Sequence, residues 1–210
     1  MVMFLKKIIG IVPSTLGFNS DNPFDDKYYV QNSYIEKISK YAIPIILAPE
    51  NLKIDKEQLD LCESFLIIGG RKINKYHFEI INYAIKSNKK LLGICLGMQA
   101  IGIYSNNDYK EETLIKIKNH YYDNITEKNK GLLVHNIFID KTSNLYKLLG
   151  EKIKVNSLHN YSLKYISSPF KVVAKSNDVI EAIEYKNIIG VQFHPELMND
   201  ADNIFKWLIQ

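Results

Sequence analysis

The feature that most constrains this chain is a repeated change of hydrophobic period. Short runs rich in Ile and Val recur at Lys7 to Val12, Pro44 to Ala48, Phe65 to Ile68 and Leu91 to Cys95. Each is followed by a turn, and an unbroken apolar run of this length suits a strand buried on both faces. Between them apolar residues fall at helical spacing, as in Tyr34, Ile38 and Tyr41, or Phe78, Ile81, Ala84 and Ile85. Strand and helix alternating in this way argue for a parallel sheet with helices on both faces, because each parallel pairing needs a crossover. The predicted fold class is α/β, a doubly wound, mostly parallel sheet.

After Ile101 to Tyr104 the chain turns polar and rich in Asn, Tyr and Lys from Ser105 to Lys130, with neither period. This predicts an exposed excursion near the functional site. Leu132 to Ile139, Ile153 to Val155, Phe170 to Ala174, Val179 to Glu184 and Ile188 to Phe193 read as strands, several of them antiparallel. A short helix is expected around Leu145 to Leu149, and a terminal helix over Ala201 to Ile209. The 210 residues, 46% of them hydrophobic, show no linker or internal repeat, so one domain over residues 1–210 is expected.

Charge and cysteine usage narrow the function classes. The formal charge of +4 comes from lysines scattered along the chain, without a block that would hold a nucleic acid or an anionic membrane, and neither partner is expected. The first five residues precede Lys6 and Lys7, the reverse order of a secretory signal, and the apolar run to Val12 is too short to span a bilayer. A cytoplasmic location is expected. Cys62 and Cys95 form neither a disulfide framework nor a repeated Cys/His spacing for zinc, so free thiols and no metal or other cofactor are expected.

Two motifs carry chemistry. In Leu91-Leu-Gly-Ile-Cys95-Leu-Gly-Met-Gln99 an apolar strand runs through a small-residue turn into a helical segment. Gly93 and Gly97 permit a tight turn that lifts the Cys95 side chain above the sheet edge, and the helix N-terminus beside it favours a thiolate. The simpler reading, a small buried hydrophobe at a strand end, fits most unpaired cysteines. The second motif, Ile188-Ile-Gly-Val-Gln-Phe-His194-Pro-Glu196, ends a strand in a histidine and a carboxylate that alternation places on one side. A cysteine nucleophile needs a base that later protonates the departing amine, and that imidazole needs an acceptor to fix its tautomer. Cys95, His194 and Glu196 supply the three roles. Four other histidines, His77, His120, His135 and His159, show how ordinary a lone one is.

With these residues in view, the chain resembles the class I glutamine amidotransferases. Their Gly-x-Cys-x-Gly-x-Gln elbow stands here as Gly93-Ile-Cys95-Leu-Gly97-Met-Gln99, and their His-Pro-Glu as His194-Pro195-Glu196. The runs Val155-Asn-Ser-Leu-His159 and Val179-Ile-Glu-Ala-Ile-Glu184 are similar to the branch of stand-alone γ-glutamyl hydrolases. The resemblance covers about half the chain, Phe65 to Ile103 and Leu132 to Leu197. It implies a γ-glutamyl thioester on Cys95 and an oxyanion hole from the backbone N–H groups of Gly70 and Leu96. A plain β-turn remains the alternative for Ile68-Gly69-Gly70. It also implies contacts to the glutamyl group from Gln99 and the backbone at Asn160 and Tyr161. His159 is expected to be structural, and Cys62 core.

The chain departs from that family's pattern at the same turn. Relatives usually begin it with proline and follow the glycines with glycine and aspartate, whereas here Ile68 precedes and Arg71-Lys72 follows. Arg71 is the one arginine among 27 basic residues. It reads either as a bidentate partner for a carboxylate or phosphate, or as an accident of a lysine-biased composition. The expected substrate is a small-molecule γ-glutamyl conjugate, with no protein partner required. The resemblance extends to a capsular-polysaccharide branch whose substrate is γ-glutamyl-CDP-amidate. The alternative is a glutaminase that works with a synthase and passes ammonia to it.

Overall fold

The computed structural model describes residues 6–16, 26–107, 112–118, 120 and 131–210. The first half contains β1 (Ile8–Val12), β2 (Ser14–Leu16), β3 (Lys27–Tyr29), α1 (Asn32–Ser39), β4 (Ile43–Ile46), α2 (Lys56–Asp60), β5 (Ser64–Ile67), α3 (Lys75–Ser87), β6 (Lys90–Ile94) and α4 (Leu96–Asn106). The second contains β7 (Leu114–Lys116), β8 (His135–Ile139), α5 (Asn144–Leu149), β9 (Lys152–Val155), β10 (Tyr161–Leu163), β11 (Lys171–Ser176), β12 (Val179–Tyr185), β13 (Ile188–Val191) and α6 (Asp202–Ile209).

Nine of these strands form one mixed sheet in the order β4-β1-β5-β6-β13-β12-β11-β8-β9. The pairings from β4 through β13 are parallel, and those from β13 through β9 are antiparallel. The fold is the α/β class expected, with an antiparallel half as wide as the parallel one by pairings. β13 is the seam. It follows β12 through a tight turn, yet lies beside β6 in parallel register, with Gly190 opposite Gly93 and Val191 opposite Ile94.

Side-chain alternation explains why both faces are covered. Ile9, Ile11, Leu66, Leu92, Ile94, Ile189 and Val191 point into one core with Tyr34 and Ile38 of α1 and Ile204, Phe205 and Leu208 of α6. Val12, Phe65, Ile67, Leu91 and Ile188 point into the other, against Leu59 of α2, Tyr76, Ile80, Ile81 and Ala84 of α3, and Met98 and Ile101 of α4. A strand buried on both sides must be apolar at every position, and this is the unbroken pattern read from the sequence.

Some local structure differs from expectation. The polar excursion contains a short strand, β7, which pairs with β10 in a separate two-stranded sheet. Much of the rest of that stretch lies outside the described residues. A second small pair, β2 with β3, and the helix α2 carry periods too short to register in the sequence.

His77 ties the start of α3 to its cap. The Asn74 N–H donates to His77 Nδ1 at 2.9 Å, and burial pushes the imidazole down from its ordinary value near 6.5 to about 4. Because the folded value is depressed, the unfolded chain binds the extra proton between those two values, so stability falls as the pH drops through that window. A shift of this size corresponds to a loss on the order of 3 kcal/mol. Urea unfolding at pH 7 and pH 4.5 should therefore show a smaller acid loss for His77→Gln than for the unmodified chain. Equal losses would remove His77 as a source of acid sensitivity.

Candidate active site

In a doubly wound sheet ligands gather at the carboxyl ends of the strands. Here three adjacent strands, β5, β6 and β13, deliver the Gly69-Gly70 turn, Cys95 and the segment to His194 to one edge. Cys95 closes β6 with φ 51° and ψ −102°, a left-handed conformation that a side chain rarely adopts. Such strain costs about 1–3 kcal/mol and persists only where the surroundings enforce it. They do so here. The Cys95 N–H donates to the Val191 carbonyl at 2.8 Å, and the Cys95 carbonyl accepts from Gln99 N–H at 3.0 Å, the first bond of α4. A Cβ on Gly97 would fall 2.4 Å from the Ile67 carbonyl oxygen, and one on Gly93 would fall 2.7 Å from the Gly97 carbonyl. Only glycine lets α4 sit this close to the sheet, and that approach makes the elbow.

His194 and Glu196 meet by a route other than strand alternation. β13 ends at Val191, and a 3₁₀ turn over Pro195–Leu197 brings the carboxylate back. Glu196 Oε1 then accepts from His194 Nδ1 at 2.6 Å, which assigns the proton to Nδ1 and leaves Nε2 for the thiol. The Cys95 side chain is hydrogen-bonded to this imidazole. Burial alone would lower the imidazole pKa, but Glu196 and Cys95 outweigh it and hold the group well above its usual range.

Two residues that the sequence did not single out hold this arrangement. Asn156 is buried and makes two 2.8 Å bonds to the backbone of His194, accepting from its N–H and donating to its carbonyl. Tyr34 of α1 accepts from Gly69 N–H at 3.1 Å, and its hydroxyl lies 3.4 Å from His194 Nδ1. Burial and the nearby Glu196 charge push the Tyr34 phenol well above its usual value, so it stays protonated. Asn156 lies in the run already noticed between Val155 and His159. Tyr34 carried no signal beyond helical spacing.

The remaining predicted residues share one cleft of about 650 Å³, lined by Gly70, Arg71, Cys95, Leu96, Gln99, Asn160 and Tyr161, with Leu114 of β7 also contributing. Its size is that of a site for a ligand larger than a single amino acid. Gln99 Nε2 donates to the Tyr161 carbonyl at 3.2 Å and to Gln192 Oε1 at 3.3 Å, so the elbow helix and β10 meet at one end of the cleft. Arg71 lies exposed on its wall beside Gly70. At Gly70 a Cβ would fall 2.0 Å from Ser14 Oγ, which explains the glycine there. Cys62 is core, as expected, and burial pushes its thiol up to about 11. No helix among the described residues is long and apolar enough to cross a membrane.

Comparison with known proteins agrees with this geometry. A family model described as Peptidase C26 matches residues 74–196. The glutamine amidotransferase-like protein YvdE of Lactococcus lactis is 25% identical, over 97% of this chain and 96% of its own length. Among solved structures, one described as a GMP synthase component from Thermoplasma acidophilum superposes with a TM-score of 0.67 at 19% identity, covering 97% of this chain and 92% of the other. The glutaminase domain of Trypanosoma brucei CTPS gives 0.66 at 16% identity, with 96% and 92% covered. At those identities the structural likeness bears on the fold alone.

Replacing Asn156 with Ala leaves the buried N–H and carbonyl of His194 without partners. Urea denaturation should show a loss of about 1–3 kcal/mol, the cost of unsatisfied buried polar groups. A change within experimental error would mean that the 3₁₀ turn holds His194 unaided.

Proposed function

Because the chain belongs to the peptidase C26 family, we propose that it hydrolyses the γ-glutamyl amide bond of a small conjugate through a thioester on Cys95. The observation that carries this reading is the strained Cys95 elbow bonded to an imidazole that is itself bonded to Glu196. The Cys95 sulfur adds to the γ-carbonyl carbon, and the developing oxyanion is held by the N–H groups of Gly70 and Leu96. Gly69 N–H is already engaged by Tyr34, which leaves Gly70 as the donor from that turn. Each such donor is worth about 3 kcal/mol in the transition state. His194 protonates the departing nitrogen and then takes a proton from water as the thioester is hydrolysed, releasing glutamate and the thiol. Glu196 steadies the imidazolium in both steps.

Gln99 and the backbone at Asn160 and Tyr161 take the glutamyl end, and Arg71 faces the leaving group. A guanidinium on that wall suits a phosphate-bearing leaving group, and γ-glutamyl-CDP-amidate is the candidate substrate. The likeness to the glutaminase domain of Trypanosoma brucei CTPS favours a second reading, a glutaminase that hands ammonia to a synthase. Glutamate release by the isolated chain separates the two when glutamine, γ-glutamyl amines and a γ-glutamyl nucleotide phosphoramidate are compared. Preference for a conjugate over glutamine is expected. Activity on glutamine alone, stimulated by a co-purifying synthase, would favour the second reading.

Cys95→Ala or Cys95→Ser should abolish turnover while the fold survives, and Cys62→Ala should keep it. Labelling of Cys62 rather than Cys95 by a γ-glutamyl electrophile would overturn the mechanism. Charge-assisted hydrogen bonds contribute roughly 1.5–3 kcal/mol, so Arg71→Ala should lower kcat/KM about tenfold to a hundredfold for a phosphate-bearing conjugate. A γ-glutamyl amine without phosphate should be nearly unaffected, and Arg71→Lys should fall between. An unchanged ratio of the two kcat/KM values would return Arg71 to a surface role.

A further inference from the structure

Behind the cleft wall formed by Leu158 to Tyr161, four side chains from separate segments converge: His120, His135 at the start of β8, His159 after β9, and Glu181 within β12. Glu181 is fully buried. Its Oε1 lies 2.9 Å from His135 Nε2 and 3.9 Å from both His120 Nδ1 and His159 Nε2. The rings of His135 and His159 lie against that of His120, with centroids 4.9 and 5.1 Å away.

Hydrogen bonding settles where protons sit on two of these rings. His159 Nδ1 is 3.0 Å from the Tyr161 carbonyl, which can only accept, so Nδ1 carries the proton and Nε2 presents a lone pair. His135 Nε2 donates to the Glu181 carboxylate and holds its orientation. Both His159 Nε2 and Glu181 Oε2 are buried without a hydrogen-bond partner among the described residues. Two acceptors facing each other in the interior are unfavourable unless a cation is shared between them. The Ser157 hydroxyl is 3.4 Å from His120 Nδ1 but directs its proton to the His120 carbonyl at 2.6 Å. It therefore leaves that nitrogen able to act as a ligand.

We propose that His120 Nδ1, His159 Nε2 and the Glu181 carboxylate bind one divalent transition-metal ion of the zinc class, with His135 as the residue that positions the carboxylate. The three ligand atoms lie within 4.8 Å of one another. Zinc bonds of about 2.0–2.1 Å place tetrahedral ligands roughly 3.4 Å apart, so each pair needs to close by about 1.4 Å or less. Two imidazoles and a carboxylate suit zinc and its neighbours rather than calcium or magnesium, and a fourth position remains for water. A carboxylate held by an outer histidine is the usual support for such a ligand.

The ion has a structural role. It staples the segment carrying His120 to the antiparallel half of the sheet and fixes the backbone around Asn160 and Tyr161. His159 N–H donates to the His120 carbonyl at 3.1 Å, and Ile117 N–H donates to the Asn160 carbonyl at 2.9 Å, so the same segment is already laid along that wall. Nothing in the thioester chemistry at Cys95 requires this ion, and the site is independent of that reading.

The test begins with chelator-treated protein, which is loaded with Zn²⁺ or Co²⁺, freed of excess metal by gel filtration and assayed for metal content. One ion per chain is expected, with a rise in Tm on loading. The Co²⁺ form should show visible d–d bands without the near-ultraviolet charge-transfer band of a thiolate ligand. Glu181→Gln and His120→Ala should lose the ion, and His135→Ala should bind it about 10–100-fold more weakly. Cys95→Ala should retain it, which separates the cluster from metal captured at the catalytic thiol. His120 is partly exposed, so its variant decides the matter if Glu181→Gln fails to fold. No retained metal, or metal lost with Cys95→Ala and kept by His120→Ala, would overturn the proposal.

Discussion

The close seating of α4 on the sheet is the contact on which the rest of the site depends. With Gly97 against the Ile67 carbonyl and Gly93 against Gly97, the helix starts within one residue of the strand's end. The connecting residue has no room to be anything but left-handed. That residue is Cys95, and the cost of its backbone is met by a packed helix and five parallel strands that cannot be rearranged locally. The same geometry aims the helix N-terminus at the sulfur, where a negative charge is favoured. Strain and electrostatics therefore come from one packing event.

The imidazole side of the site is built differently. His194 lies past the end of its strand, where the ladder no longer restrains it, and Asn156 replaces that restraint with two bonds to its backbone. Glu196 returns through a 3₁₀ turn, which places it nearer to Nδ1 than strand alternation would. Tyr34 joins the two sides, because one hydroxyl meets both the Gly69 N–H and the His194 ring. A shift of α1 would therefore be felt by the nucleophile's turn and by its base together.

The antiparallel half serves the cleft from behind. Tyr161 offers one carbonyl to Gln99 on the elbow helix and to His159 in the buried cluster, so one end of the cleft and the histidine cluster share a hinge point. Ordering of the cluster is thereby transmitted to the cleft wall.

Period and local chemistry were enough to read the parallel core, both faces of its helical cover and the elbow. Those features depend on residues close in sequence: unbroken apolar runs, Gly93 and Gly97 around Cys95, and His194 two residues from Glu196. Seven predicted residues fell in one cleft because strand order in a doubly wound sheet brings carboxyl ends together, a rule that needs no side-chain detail. What the sequence left unread depends on contacts between distant residues. Tyr34 and His194 are 160 positions apart, and Asn156 reaches His194 across 38. His135 meets Glu181 across 46 with no shared motif or spacing. A hydroxyl on an amphipathic helix, or a histidine in a polar stretch, carries no mark of its partner. Only the closing of the antiparallel strands over the parallel core decides which of them meet.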